Sequence, residues 1–135
     1  MNLDKLINEN EKAREPVSFP ISDKELCDRY EHVFTSAVND VLREDGLLYQ
    51  TLPSNIIPLK EHMKVAGIAF TVKGSKNLTL ANEMEFRAQM LEAVSPESVV
   101  VWDTSCDNES AQWGEIMTMA SKRRGCRGAV VDGGV

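Results

Sequence analysis

Two short apolar runs toward the C-terminal end, and the segment between them, restrict the fold more than any other feature. Val99-Val100-Val101-Trp102 stops at Asp103, and Ala129-Val130-Val131 stops at Asp132-Gly133-Gly134. Each run has the length and composition of a buried strand. Between them Trp113, Ile116, Met117 and Ala120 recur at i, i+3, i+4 and i+7, which predicts a helix with one face packed on a sheet. Strand, crossover helix and strand make a parallel βαβ unit, since parallel neighbours cannot be joined by a tight turn. Ligands on such units gather beyond the carboxyl ends of the strands. Both ends here carry an aspartate beside a flexible loop.

Composition narrows the rest. A chain of 135 residues makes one domain with a real core. Hydrophobic residues at 42% and charged residues at 27% are ordinary globular composition. A net charge of -6 argues against nucleic acid as a partner, which would call for a basic face. No apolar run approaches the roughly 18 residues of a membrane span. The charged start, MNLDKLINENEKAREP, does not read as a secretory signal. Cys27, Cys106 and Cys126 have no short paired spacing, so free thiols and a cytoplasmic location are expected.

In chain order, residues 1–21 read as an N-terminal arm, with Leu3, Leu6 and Ile7 at helical spacing and Pro16 and Pro20 limiting it. Residues 22–135 read as the α/β domain. Ser22-Asp23-Lys24-Glu25 is a capping box for a helix with Leu26, Tyr30 and Val33 as its apolar stripe. Thr35-Ser36 restarts a helix that buries Val38, Val41 and Leu42, leaves Asp40 in solvent and ends at Asp45-Gly46. A short strand is expected near Ile56-Ile57, bounded by Pro53 and Pro58. Val65 to Val72 predicts a strand in which Gly67 marks a bulge or a close backbone approach. Gly74 to Asn77 is a loop. Leu80 to Val94 predicts a helix burying Met84, Phe86, Met90, Leu91 and Val94.

Chemistry-bearing residues concentrate in the opening stretch. Spacing leaves two starts for its helix, Ser110 as a cap or Gly114 as the first free-amide position. From Gly114, the amides of Gly114, Glu115, Ile116 and Met117 would point out together as an anion site. Lys122, Arg123 and Arg124 would complement the helix dipole at the other end. Asp103 and Asp132 would either cap the loops that follow them or hold a hard cation such as Mg²⁺. His32 and His62 lack metal or nucleophile spacing, and phosphate-loop, dinucleotide and nucleophile motifs are absent.

Four words in order resemble one family. Thr35 through Val38 and Asp40 to Leu42 is similar to its T-x-x-V-x-D-x-L start. Val65-Ala66-Gly67-Ile68-Ala69-Phe70-Thr71-Val72 is similar to its VAGPAFTV strand, and Ser98 to Asp103 to the strand that follows. Trp113-Gly114-Glu115-Ile116-Met117, then Gly125 and Gly128-Ala129-Val130-Val131-Asp132-Gly133, resemble WGELM…RG..GvVvDG. The family is the regulator of ribonuclease activity A family, which includes the class II 4-hydroxy-4-methyl-2-oxoglutarate aldolases. The resemblance implies a swivelling β/β/α-type α/β domain with a C-terminal βαβ unit, assembled as a homotrimer or a pair of trimers. It implies a small 2-oxo acid substrate bound by the amides of Gly114, Glu115, Ile116 and Met117. It also implies Mg²⁺ or another divalent metal that stabilises an enolate in retro-aldol cleavage or oxaloacetate decarboxylation. Glu115 could orient a water there, Asp103 could support the groups that hold the ligand, and Asp132 becomes a turn residue.

One departure bears on activity. In the family an Arg-Asp pair, the substrate arginine and the metal aspartate, follows the DGxV word directly, and the sequence here stops at Val135. The expectation is a fragment of a longer metal-dependent lyase; were Val135 the true end, the chain would be inactive and its last strand an exposed sheet edge. The alternatives are a protein-binding regulator without catalysis, meeting a basic ribonuclease segment through acidic surface, and an inactive fragment.

Overall fold

The run Ser98–Asp103 becomes the central strand of a three-stranded parallel sheet. The structure, a computed structural model, describes residues 18–74, 76, 79 and 81–135. Among them, helices α1 (Asp23–Glu31) and α2 (Thr35–Glu44) precede strand β1 (Ile68–Lys73) and helix α3 (Glu83–Ala93). Strand β2 (Ser98–Asp103), helix α4 (Glu115–Arg123) and strand β3 (Gly128–Val131) follow. The arm residues Leu3, Leu6 and Ile7 lie outside the described residues, as do Ser75, Asn77 and Leu80.

All strand pairs are parallel, in the order β1-β2-β3. Register lines up two rows, Phe70–Val100–Ala129 and Val72–Trp102–Val131. Alternate residues of a strand share a face, so both rows point the same way. They meet Val94, Met90 and Leu91 at α3, and Met117 and Trp113 around α4. Val94, Val100, Trp102 and Met117 are the buried centre. The α/β class and the C-terminal βαβ unit thus stand as expected, and β3 is an edge of the sheet.

Several expected details change. Of the capping box, only half forms: Ser22 Oγ accepts from the Glu25 amide at 3.2 Å, while the Glu25 carboxylate takes Arg29 at 2.6 Å. Helix α1 buries Cys27, and Tyr30 and Val33 are exposed, because α1 docks through a single turn. The Cys27 thiol points at the Glu97 carbonyl, 3.7 Å away. Arg127, just before β3, binds Glu97 at 2.5 Å, Glu31 at 2.7 Å and Asp28 at 2.9 Å, and these carboxylates raise its pKa above the ordinary value.

In α2, Val38 and Leu42 are half-buried, while Val41 and Asp40 are exposed. No strand forms near Ile56-Ile57. The Ile56 amide instead donates to the Pro53 carbonyl at 3.0 Å in a turn, and Ile57 is exposed. In α3, Arg87, Met90, Leu91 and Val94 share the inner face by i, i+3, i+4 and i+7 spacing. Met84 and Phe86 fall on its flanks and are 77% and 62% exposed.

Gly67 is a close approach. A Cβ there would lie 2.7 Å from both the Glu97 carbonyl and Val99 Cγ2. Gly67→Ala is expected to destabilise the fold by about 1–3 kcal/mol through overpacking, read as a lower urea midpoint. An unchanged midpoint would refute this account of the first strand.

Candidate functional site

Parallel strands deliver their carboxyl ends to one edge, and two aspartates arrive there as neighbours. Asp132, directly after β3, reaches across to the loop leaving β2. Its Oδ1 accepts from the Thr104 amide at 2.5 Å and its Oδ2 from the Cys106 amide at 3.3 Å. The Thr104 amide, first among several donors, holds the Asp132 carboxyl below its ordinary pKa. Asp103 turns the other way. It accepts from Lys73 Nζ at 2.5 Å and from the Ser105 amide at 2.9 Å, and Lys73 is the main cause of its lowered pKa. Both aspartates therefore cap loops. Their bonds hold Ser105 and Cys106 in consecutive left-handed conformations, with φ of 63° and 58°, which cost energy outside glycine.

A third carboxylate organises the loop. Asp107 is buried and accepts from Ser110 Oγ at 2.6 Å, Gln112 Nε2 at 2.6 Å and the Glu109 amide at 2.9 Å. These donors, Ser110 foremost, bring its pKa down to about 2. The Asp107 carbonyl accepts from the Gly134 amide at 3.0 Å, and the Gly134 carbonyl accepts from the Gln112 amide at 2.8 Å. A Cβ on Gly133 would sit 2.5 Å from the Asp107 carbonyl and from Thr104 Oγ1. The Asp132-Gly133-Gly134 word is thus the seam joining the β3 end to the loop before α4.

That seam delivers the helix start. Ser110, one of the two candidate starts, spends its hydroxyl on Asp107. Helix α4 begins at Glu115, with Gly114 as an extended cap at φ -139° and ψ -175° and no side-chain acceptor on its first turn. The first helical bond runs from the Thr118 amide to the Gly114 carbonyl at 3.0 Å. The amides of Gly114, Glu115, Ile116 and Met117 have no acceptor among the described residues. Nothing lies within 4 Å of where a Gly114 Cβ would stand, so the approach is open. Glu115 is exposed and Met117 is buried. Ile116, expected on the packed face, is 82% exposed, because of two consecutive residues only Met117 turns inward.

Basic residues complete the surroundings. Arg124, expected to serve its own helix, donates instead to the Val94 carbonyl at 3.0 Å and to the Glu92 carbonyl, capping α3. Arg87 lies over the Trp102 ring, 5.5 Å from its centre, and Trp113 meets Trp102 edge-on at 6.3 Å. Arg87 also donates to the Gln112 carbonyl at 3.0 Å and to Gln112 Oε1 at 3.2 Å. Sequence reasoning passed over Arg87, Asp107 and Gln112. For Arg87 a signal existed: a charged residue centred on a core-facing helical stripe.

The described carboxylates are committed to loop donors rather than gathered around a common point. No group of three or more His, Cys, Asp or Glu side chains converges among the described residues. Asp103, Asp107 and Asp132 are each engaged by loop donors, and His32 Nδ1 sits 2.7 Å from the Asp28 carbonyl.

A family model described as RraA-like, Aldolase/RraA, matches residues 26–135. Protein DlpA of Legionella pneumophila subsp. pneumophila is 29% identical over 92 residues, which are 68% of this chain and 14% of that protein. A crystal structure described as one of novel cellulases from microbes associated with the gut ecosystem superposes with a TM-score of 0.84 at 49% identity. It covers 98% of this chain and 60% of that one. An uncharacterized protein from Pseudomonas syringae pv. tomato superposes with a TM-score of 0.65 at 27% identity, covering 87% and 53%. The chain therefore spans between 14% and 60% of the length of these relatives.

Asp107 gives the loop an acid limit. Its folded pKa lies below the unfolded value of about 3.9, so its contribution is complete above that value and fades as pH falls toward about 2. Comparing thermal unfolding of Asp107→Asn and wild type across this window should show the stability difference narrowing as pH drops. A difference independent of pH would contradict the assignment.

Proposed function

Because the chain belongs to the RraA-like, Aldolase/RraA family, we propose that Gly114 to Met117 form the carboxylate-binding half of a lyase site for short 2-oxo acids. The observation carrying this reading is the row of four amides without acceptors among the described residues at an open helix start. A carboxylate placed there accepts several charge-assisted hydrogen bonds at the positive end of the helix dipole. Retro-aldol cleavage of 4-hydroxy-4-methyl-2-oxoglutarate-like acids and decarboxylation of oxaloacetate share this need, since both begin from a 2-oxo carboxylate held in one orientation. Asp103 acts at a distance by fixing the Ser105 turn.

Dependence on Mg²⁺ or another divalent cation belongs to the proposal. Its ligand is the aspartate that the resemblance places after Val135, not a described residue. We take residues 22–135 as the domain and 1–21 as the arm, a division supported by the family match beginning at residue 26. No described helix is long and apolar enough to cross a membrane. A cytoplasmic setting belongs to the proposal and draws on the three free cysteines. Assembly as a trimer or a pair of trimers is what the resemblance implies, and exposed Phe34, Val41, Leu48 and Tyr49 around α2 offer apolar surface for a subunit contact. Glycoside cleavage, the activity in one relative's description, calls for two carboxylates facing a sugar, whereas the loop aspartates here are occupied by caps. The regulator reading draws on the net charge of -6, which favours encounter with a basic segment. Salt-sensitive binding of a basic peptide by a chain that ignores oxalate would select it.

Oxalate, a planar dicarboxylate, tests the amides directly. Proline is tolerated at the first helical position, so Glu115→Pro deletes one donor while preserving the helix. It should bind oxalate about tenfold more weakly in calorimetry than Glu115→Ala, which loses the same carboxylate but keeps the amide, a difference near the value of one hydrogen bond to a charged group. Equal affinity in the two variants would remove the site. For a chain that includes the Arg-Asp pair, oxaloacetate should release pyruvate with Mg²⁺ and stop with a chelator; metal-independent release would sink the lyase reading.

A further inference from the structure

We propose that Arg87 is a positioning residue that sets the aim of the Gly114–Met117 amides through Gln112. This inference rests on the carboxylate-site reading above and adds a residue that no element of the family words contains. Gln112 stands two residues before the helix cap, and each of its polar groups is engaged. Its amide donates to the Gly134 carbonyl at 2.8 Å, and its carbonyl accepts from Arg87 Nη1 at 3.0 Å. Its Oε1 accepts from Arg87 Nη2 at 3.2 Å, and its Nε2 donates to Asp107 at 2.6 Å and to Ser110 at 2.8 Å. A residue so held keeps one backbone orientation, and the peptide planes after it inherit that orientation.

Arg87 is itself fixed on three sides. Its Nε donates to Glu83 at 3.0 Å, its guanidinium lies over Trp102, and Nη1 also reaches Met117 Sδ at 3.7 Å. Met117 is the last of the four free-amide residues, so Arg87 grips the nest from both sides, at Gln112 and at Met117. Its charge is offset by Glu83 at 3.0 Å, so its effect on a bound anion is geometric rather than coulombic. The planar fork is essential to that geometry, because lysine carries the same charge but cannot span two acceptors in fixed directions.

Oxalate calorimetry with thermal unfolding as the check on folding separates these roles. Arg87→Lys and Gln112→Ala should each remain folded and weaken oxalate binding about tenfold, the scale of one misdirected charge-assisted hydrogen bond. In Arg87→Ala, added methylguanidinium should restore affinity where sodium chloride at equal ionic strength does not. Wild-type affinity in folded Arg87→Lys and Gln112→Ala, with Glu115→Pro still defective, overturns the positioning role and leaves the amide site standing. Loss in a folded Arg87→Ala without rescue by methylguanidinium overturns it too. Absence of oxalate binding by the unaltered protein overturns the carboxylate-site reading, and this role with it. Should Arg87→Lys fail to fold, Gln112→Ala decides, since it keeps the arginine and the main chain.

Discussion

Parallel pairing of β2 with β3 is the constraint from which the rest of the molecule follows. It sends both strand ends to the same edge, where the Asp132 carboxylate can reach the Thr104 and Cys106 amides. An antiparallel pair would separate these groups by the length of a strand. With Asp132 in place, Ser105 and Cys106 take strained left-handed turns, Asp107 is buried, and Gly134 docks on the returning loop. The order is physical: one strand register fixes one carboxylate, which fixes a loop, which fixes where a helix begins.

The helix that results starts without a side-chain cap. A side-chain oxygen is the favoured closure of a first turn; α1 has one in Ser22, whereas α4, like α2 and α3, has none, and its cap position is a bare glycine. The neighbouring hydroxyl, Ser110, is drawn off by Asp107, and Thr118 is occupied by Trp113 Nε1 at 2.8 Å and the Gly114 carbonyl at 3.0 Å. Both nearby hydroxyls are committed elsewhere, so neither closes the first turn. It is this uncapped start that the proposed carboxylate site uses.

Much of this was legible in the sequence, for reasons that differ by element. The strands β2 and β3 announced themselves because a buried parallel strand is apolar on both faces. Gly67 within a strand pattern pointed to a close approach because only backbone fits there; the tight contact at Gly133 was not foreseen. What stayed hidden was long-range. Spacing could not choose between Ser110 and Gly114, since the choice is made by Asp107 and Gly134. Met84, Phe86 and Ile116 passed as core on periodicity, but a stripe says which residues share a side, not how much of that side is covered. Arg87 and Arg124 were hidden by their type. Each carries a charge that reads as surface, and each spends it on carbonyls of another segment.

The bridge from Arg127 to Asp28 spans 99 positions of the chain. Helix α1 is made early in synthesis, yet the cation that anchors its carboxylates is made only after both crossovers of the sheet. Cys27, its one buried side chain, gives it little independent hold. The ion-paired docking of the first helix thus depends on a residue that lies beyond both crossovers of the sheet, so a disturbance at the start of β3 is transmitted through Arg127 to the far end of the chain.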